Sequence, residues 1–169
     1  VCVVDMKKWV RGNPSIQATY DGKTYYFPGE EQKRIFISAP DKYIPALGGD
    51  CVVCVADMGA RNPGSIRHSA ISQNRLYLFP NKNMKMKFAS DPLRYINADV
   101  ALGGNCSVCR VEMNQDVPGR PDVYLRHGGM KYQFATDEQR QMFLANPGKY
   151  AVSAGGPSRG APTAGSTTR

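Results

Sequence analysis

The chain has 169 residues and a mass of 18.6 kDa, with 41% hydrophobic and 21% charged residues, the proportions of a folded globular protein and not of a disordered one. Its longest apolar stretches, such as Val52 to Ala56, fall far short of the roughly 20 residues that cross a bilayer as a helix. Lys and Arg outnumber Asp and Glu by 22 to 14, a formal net charge of +8 that suits an anionic cell-surface polymer as a partner. The cations are scattered and no nucleic-acid signature accompanies them, so nucleic acid is not expected.

The chain does not open on Met, and no charged start followed by an apolar signal core is present, which reads as a processed product or a fragment. Cys2-Val-Val-Asp-Met6 comes first, followed by β-prone residues on both sides of a turn at Asp21-Gly22, ending in Tyr25-Tyr26-Phe27. A helix of about ten residues carrying Phe36 follows, and Pro40 and Tyr43 close the unit. The same order then returns. Cys51-Val-Val-Cys54-Val-Ala-Asp-Met58, a turn at Gln73-Asn74, Tyr77-Leu78-Phe79, a helix with Phe88, then Pro92 and Tyr95 form a second copy. Cys106-Ser-Val-Cys109-Arg-Val-Glu-Met113, a turn at Gly128-Gly129, Tyr132-Gln133-Phe134, a helix with Phe143, then Pro147 and Tyr150 form a third, displaced by an extra three residues in the connector Ile96 to Leu102. Thr136 is placed to cap the third helix with Gln139 at the capping-box position, and Asn81 takes the cap position in the second.

These patterns predict an α+β protein of three tandem small modules, each a Cys-x-x-Cys knuckle, a β-hairpin and a short helix. The modules span residues 1–47 (lacking its first knuckle cysteine), 48–102 and 103–152, and a Gly, Ser, Thr and Pro-rich tail covers 153–169. A module of about 50 residues buries little core, so each needs a staple or a packed neighbour. The short connectors predict modules that touch.

The knuckle with a Met four residues on, the aromatic hairpin, the Phe-bearing helix and the closing Pro-x-x-Tyr resemble the YHS domain and the related TRASH domain over residues 1–150. The resemblance implies the fold. In that family a second cysteine pair, which supports metal binding, would fall at Pro28 and Gln32, Pro80 and Met84, and Ala135 and Gln139, where no cysteine stands here.

Cys51 with Cys54, and Cys106 with Cys109, are candidate disulfides of an exported protein, each worth about 2 kcal/mol on the chain-entropy model. Cys2 is left unpaired or intermolecular. The alternative is a soft-metal set for copper or zinc, made of Cys51, Cys54 and Met58 and of Cys106, Cys109 and Met113; repetition of the Met as Met6 beside an incomplete pair favours a core role for it. The residues after each pair, Val-Ala-Asp and Arg-Val-Glu, read as a strand, which argues against thiol-exchange chemistry, and the Gly48-Gly49 and Gly103-Gly104 turns read as connectors with no helix behind them, which argues against a phosphate-cradling loop. His68 and His127 occupy unrelated places in the repeat and read as surface or hairpin residues, and no nucleophile, carboxylate pair or phosphate-cradling loop stands out. The expectation is a non-catalytic exported repeat protein, extracellular, cell-surface or periplasmic, acting as a structural, adhesive or self-assembling unit. Ala151 to Ser158 echoes the segment before Cys51, which suggests a head-to-tail contact between copies.

Overall fold

The computed structural model describes residues 1–152, and the tail with its proposed head-to-tail contact lies outside them. In chain order the first module comprises α1 (Cys2–Met6), β1 (Asn13–Tyr20), β2 (Lys23–Phe27), α2 (Glu30–Ser38) and α3 (Pro40–Tyr43). The second comprises α4 (Val52–Met58), β3 (Ser65–Ser72), β4 (Arg75–Phe79), α5 (Lys82–Ser90) and α6 (Pro92–Tyr95). The third comprises α7 (Ser107–Met113), β5 (Arg120–His127), β6 (Met130–Phe134), α8 (Asp137–Ala145) and α9 (Pro147–Tyr150). The α+β architecture is therefore as the sequence predicts: three two-stranded antiparallel sheets, each with its own helices.

Each hairpin turns at the expected pair, with positive φ at Asp21 and Gly22, Gln73 and Asn74, and Gly128 and Gly129. The long helices begin where their caps stand: Asn81 accepts from the Met84 amide, and Thr136 and Gln139 close a reciprocal capping box. One Phe per helix then packs on two hairpin aromatics. Phe36 lies 5.1 and 5.0 Å from Tyr25 and Phe27, Phe88 4.7 and 5.1 Å from Tyr77 and Phe79, and Phe143 4.6 and 5.6 Å from Tyr132 and Phe134, measured between ring centroids.

The segment after each knuckle is a helix and not the expected strand. Its β-branched residues favour a strand locally, but the ends decide otherwise. The Cys51 and Cys106 side chains cap the N-termini, and Gly59 and Asn114 end α4 and α7 in the left-handed conformation at φ 64° and 53°. These helices open three residues behind the Gly-Gly turns, contrary to the reading of those turns as plain connectors. The acid before each Met explains its own recurrence: Asp5 pairs with Lys42, Asp57 with Arg94, and Glu112 with Lys149, tying each knuckle helix to the closing turn of its module. Tyr95 and Tyr150 also donate to Asp57 and Glu112.

The modules share cores. One apolar cluster runs through modules two and three and includes Ala46 and Leu47; the other joins module one to Leu76 and Leu78 of β4. Period-two alternation accounts for this. Tyr77 and Phe79 face their own helix while Leu76 and Leu78 face module one, so β4 is buried on both faces. The matching outward residues are Thr24 and Tyr26 in β2, both exposed, and Lys131 and Gln133 in β6, both half-buried.

Candidate functional site

Two places gather chemically capable side chains: the knuckles, and a polar hub between modules. At each complete knuckle the first cysteine is the N-cap residue and the second lies in the first helical turn. The Cys54 and Cys109 amides donate to the Cys51 and Cys106 sulfurs at 3.3 Å. All four side chains are buried, and the thiols, like that of Cys2, are unbridged in this structure. Burial, reinforced by the neighbouring Cys54, pushes the Cys51 thiol up to about 12; burial and Cys106 push Cys109 up to about 11. The helix N-terminus that sequence reading denied to this pair is thus present, yet burial outweighs it and these thiols are not poised as nucleophiles.

The knuckle methionines do not face the core. Met6, Met58 and Met113 are 58%, 57% and 49% exposed because each ends its helix on the solvent side, which corrects the core role assigned to them. In module three a side chain of the long helix approaches a knuckle cysteine. The Cys106 thiol lies 3.8 Å from Gln139 Oε1, and Met84, at the repeat position of Gln139, packs against the cluster holding Cys51 and Cys54. Among the described residues no three His, Cys, Asp or Glu side chains gather as a metal-ligand group; in module three the Gln139 amide oxygen, and not the exposed Met113, is the side-chain atom beside Cys106. His68 lies on β3, and His127 ends β5 as an exposed hairpin residue, as the sequence predicts, its ring centroid 5.6 Å from that of Phe143.

The hub was not legible as a site. Asp99, fully buried in the second connector, accepts from Arg75 of β4 through both guanidinium Nη atoms, one of them at 2.9 Å, and from Arg126 Nη1 of β5 at 3.0 Å. Arg126 Nε donates to Asp41 of α3 at 2.6 Å, and Asp41 also accepts from Tyr20 at 3.1 Å and from Tyr124. Burial alone would raise the Asp99 carboxyl, but Arg75 and Arg126 hold it below the usual range. Asp41 is likewise held down against its burial, by Tyr124 and Arg126. Burial beside the Asp41 charge raises the Tyr20 hydroxyl to about 12. Each carboxylate takes one donor residue from its own module, Arg75 for Asp99 and Tyr20 for Asp41, and Arg126 of module three binds both, so the cluster is an ionic joint; Arg75 Nε is the one buried atom of it without a partner. The one signal that pointed to it was the three-residue insertion that carries Asp99.

An apolar cavity of about 250 Å³ opens beside module one, lined in part by Cys2, Trp9, Tyr26, Gln32 and Leu78. No described helix is long and apolar enough to cross a membrane. No family model, curated protein or solved structure matches the chain.

Proposed function

We propose that the chain is a non-catalytic, exported repeat protein of three YHS-like modules, built as a structural, adhesive or self-assembling unit of a cell surface or periplasm. The observation that carries this reading is the hub: Asp41 of module one and Asp99 of module two are both engaged by Arg126 of module three, with Arg75 on Asp99, so these charged groups bind one another and join the modules. Two further features support it. The knuckle cysteines sit at N-cap and third helical positions with the sulfur of one over the amide of the other, a placement suited to a short-loop disulfide in an oxidising compartment. The net charge of +8 suits an anionic surface polymer, and a second copy bound head to tail through the segment after Tyr150 is the other partner this reading takes.

Fractionation of the source cells with thiols trapped on lysis tests the reading. The expected result is protein in the exported fraction with Cys51–Cys54 and Cys106–Cys109 bridged; a cytosolic protein with free thiols would overturn it.

A second reading is a soft-metal binder for copper or zinc using Cys51 with Cys54 and Cys106 with Cys109, whose thiols are unbridged in this structure. Metal content discriminates, because a bridged pair offers no thiolate to a metal.

A further inference from the structure

Modules one and two, and modules two and three, are joined by apolar surface; residues 1–45 meet module three through polar contacts, and Leu47, at the end of module one, backs its carbonyl onto Gly129, where an added β-carbon would stand 2.6 Å from the carbonyl carbon. The two apolar clusters of the described residues divide at Pro45, with Ile44 in the cluster of module one and Ala46 in the cluster of modules two and three. The first cluster takes no residue from module three, and the second takes none from residues 1–45. Among the described residues, every hydrogen bond between residues 1–45 and 103–152 ends on one of two carboxylates. Asp21, at the tip of the first hairpin, accepts from the Gly128 and Gly129 amides at the tip of the third, at 3.0 and 2.7 Å. Asp41 accepts from Tyr124 and from Arg126.

We propose that Asp21 and Asp41 form a carboxylate latch that holds residues 1–45 against module three, and that the chain opens there, about the apolar joint of module one with β4, when both sets of contacts are lost. Three features make this an opening and not an unfolding. Arg126 still binds Asp99 when the latch parts and the Gly128 carbonyl still accepts from Arg61 Nη2 of module two at 2.6 Å, while the Gly128 and Gly129 amides and the Tyr124 hydroxyl pass to water. The aromatic core of each module and the acid pair of its knuckle helix lie within that module and take no part in the latch. The joint with β4 is made by Leu76 and Leu78, and apolar contact has no fixed direction and tolerates a shift that hydrogen bonds do not.

The surroundings fix when the latch opens. Asp41 faces Tyr20 from its own module, Tyr124 and Arg126 from β5 and, more distantly, Lys131 from β6; Arg126 is shared with Asp99, which also binds Arg75. Lys42, the neighbour of Asp41 on α3, is engaged by Asp5. Asp21 faces the two glycine amides, and its charge is felt by Tyr25 and Tyr132. Donors surround both carboxylates; those around Asp41 hold its carboxyl below the usual range, so its contacts persist at neutral pH and weaken as pH falls through that lowered value. Opening uncovers Tyr124, Arg126 and two adjacent turn amides, a pair of carboxylate seats on module three.

The test is hydrogen exchange and solution scattering of the full chain carrying Asp21→Asn and Asp41→Asn at neutral pH. Asn tolerates the positive φ of 48° at Asp21, so the turn itself is spared. The expected result is exchange of the Gly128 and Gly129 amides about tenfold faster or more, with a larger radius of gyration, while the paired amides of Leu125 and Tyr132 stay protected. Unchanged exchange and radius in the double variant would show that something else holds the modules together and overturn the proposal. Loss of protection throughout module three would overturn it too, since the latch would then be part of the fold. Asp21→Asn alone is the milder check: it should release the two glycine amides and leave the Asp41 contacts in place.

Discussion

Asp99→Asn is the most informative single change. Asp99 is fully buried and compensates two guanidinium groups whose side chains are 17% and 6% exposed, those of Arg75 and Arg126. The neutral amide keeps the shape but leaves Arg75 without its carboxylate and Arg126 with Asp41 alone. Breaking a buried pair by removing one partner costs about 3–5 kcal/mol, because the remaining charge stays desolvated. For a chain of this size each kcal/mol lowers Tm by about 2–4 °C, so the loss is about 6–20 °C. Urea and thermal unfolding followed by circular dichroism measure it, with Asp122→Asn as the control. Asp122 pairs with Arg120 at two side chains that are 66% and 61% exposed, and its loss should go unnoticed. A cost at Asp99 no larger than at Asp122 would refute the hub as the joint between modules.

Other outcomes follow from the same geometry. Phe88→Ala removes the ring between Tyr77 and Phe79 and should cost about 3–5 kcal/mol in denaturant unfolding. Gly129→Ala should be much worse than Gly22→Ala although both residues have positive φ: a β-carbon at Gly129 would lie 2.6 Å from the Leu47 carbonyl carbon, whereas one at Gly22 meets nothing within 4 Å. Stability should fall in acid, because Asp41 and Asp99 have depressed folded values; their contribution is present above the unfolded value of about 3.9 and is lost as pH falls through the folded one. It should also fall between about pH 10 and 12, since Tyr20 is raised and its contribution is lost as pH climbs from the unfolded to the folded value. A pH series of urea midpoints shows both edges, and a flat profile would contradict them.

The repeat, the hairpin turns, the helix caps at Asn81 and Thr136 and the Phe-on-aromatic cores were legible because each depends on residues close in sequence or on a pattern seen three times. The knuckle helices were misread for a local reason: Val-Val-Cys-Val is β-prone, and the decisive signals were the end caps Gly59 and Asn114, which were readable and not weighed. Met58 and Met113 were misplaced because hydrophobicity alone does not say on which side of a seven-residue helix the last residue falls. The joint of module one with module two was in part visible, since Leu76 and Leu78 replace the Thr24 and Tyr26 of the first hairpin and make its outer face apolar. The hub was not. Asp99 looks like any loop aspartate until Arg75 and Arg126, from two other elements, are brought around it.

The central claim is most directly tested by intact mass of the purified chain under non-reducing conditions, before and after alkylation in denaturant, with copper and zinc measured on the same sample. The account predicts two bridged pairs, Cys51–Cys54 and Cys106–Cys109, a single alkylated thiol at Cys2, and no stoichiometric metal. Five alkylated thiols with bound copper or zinc would contradict it and make the knuckles metal centres.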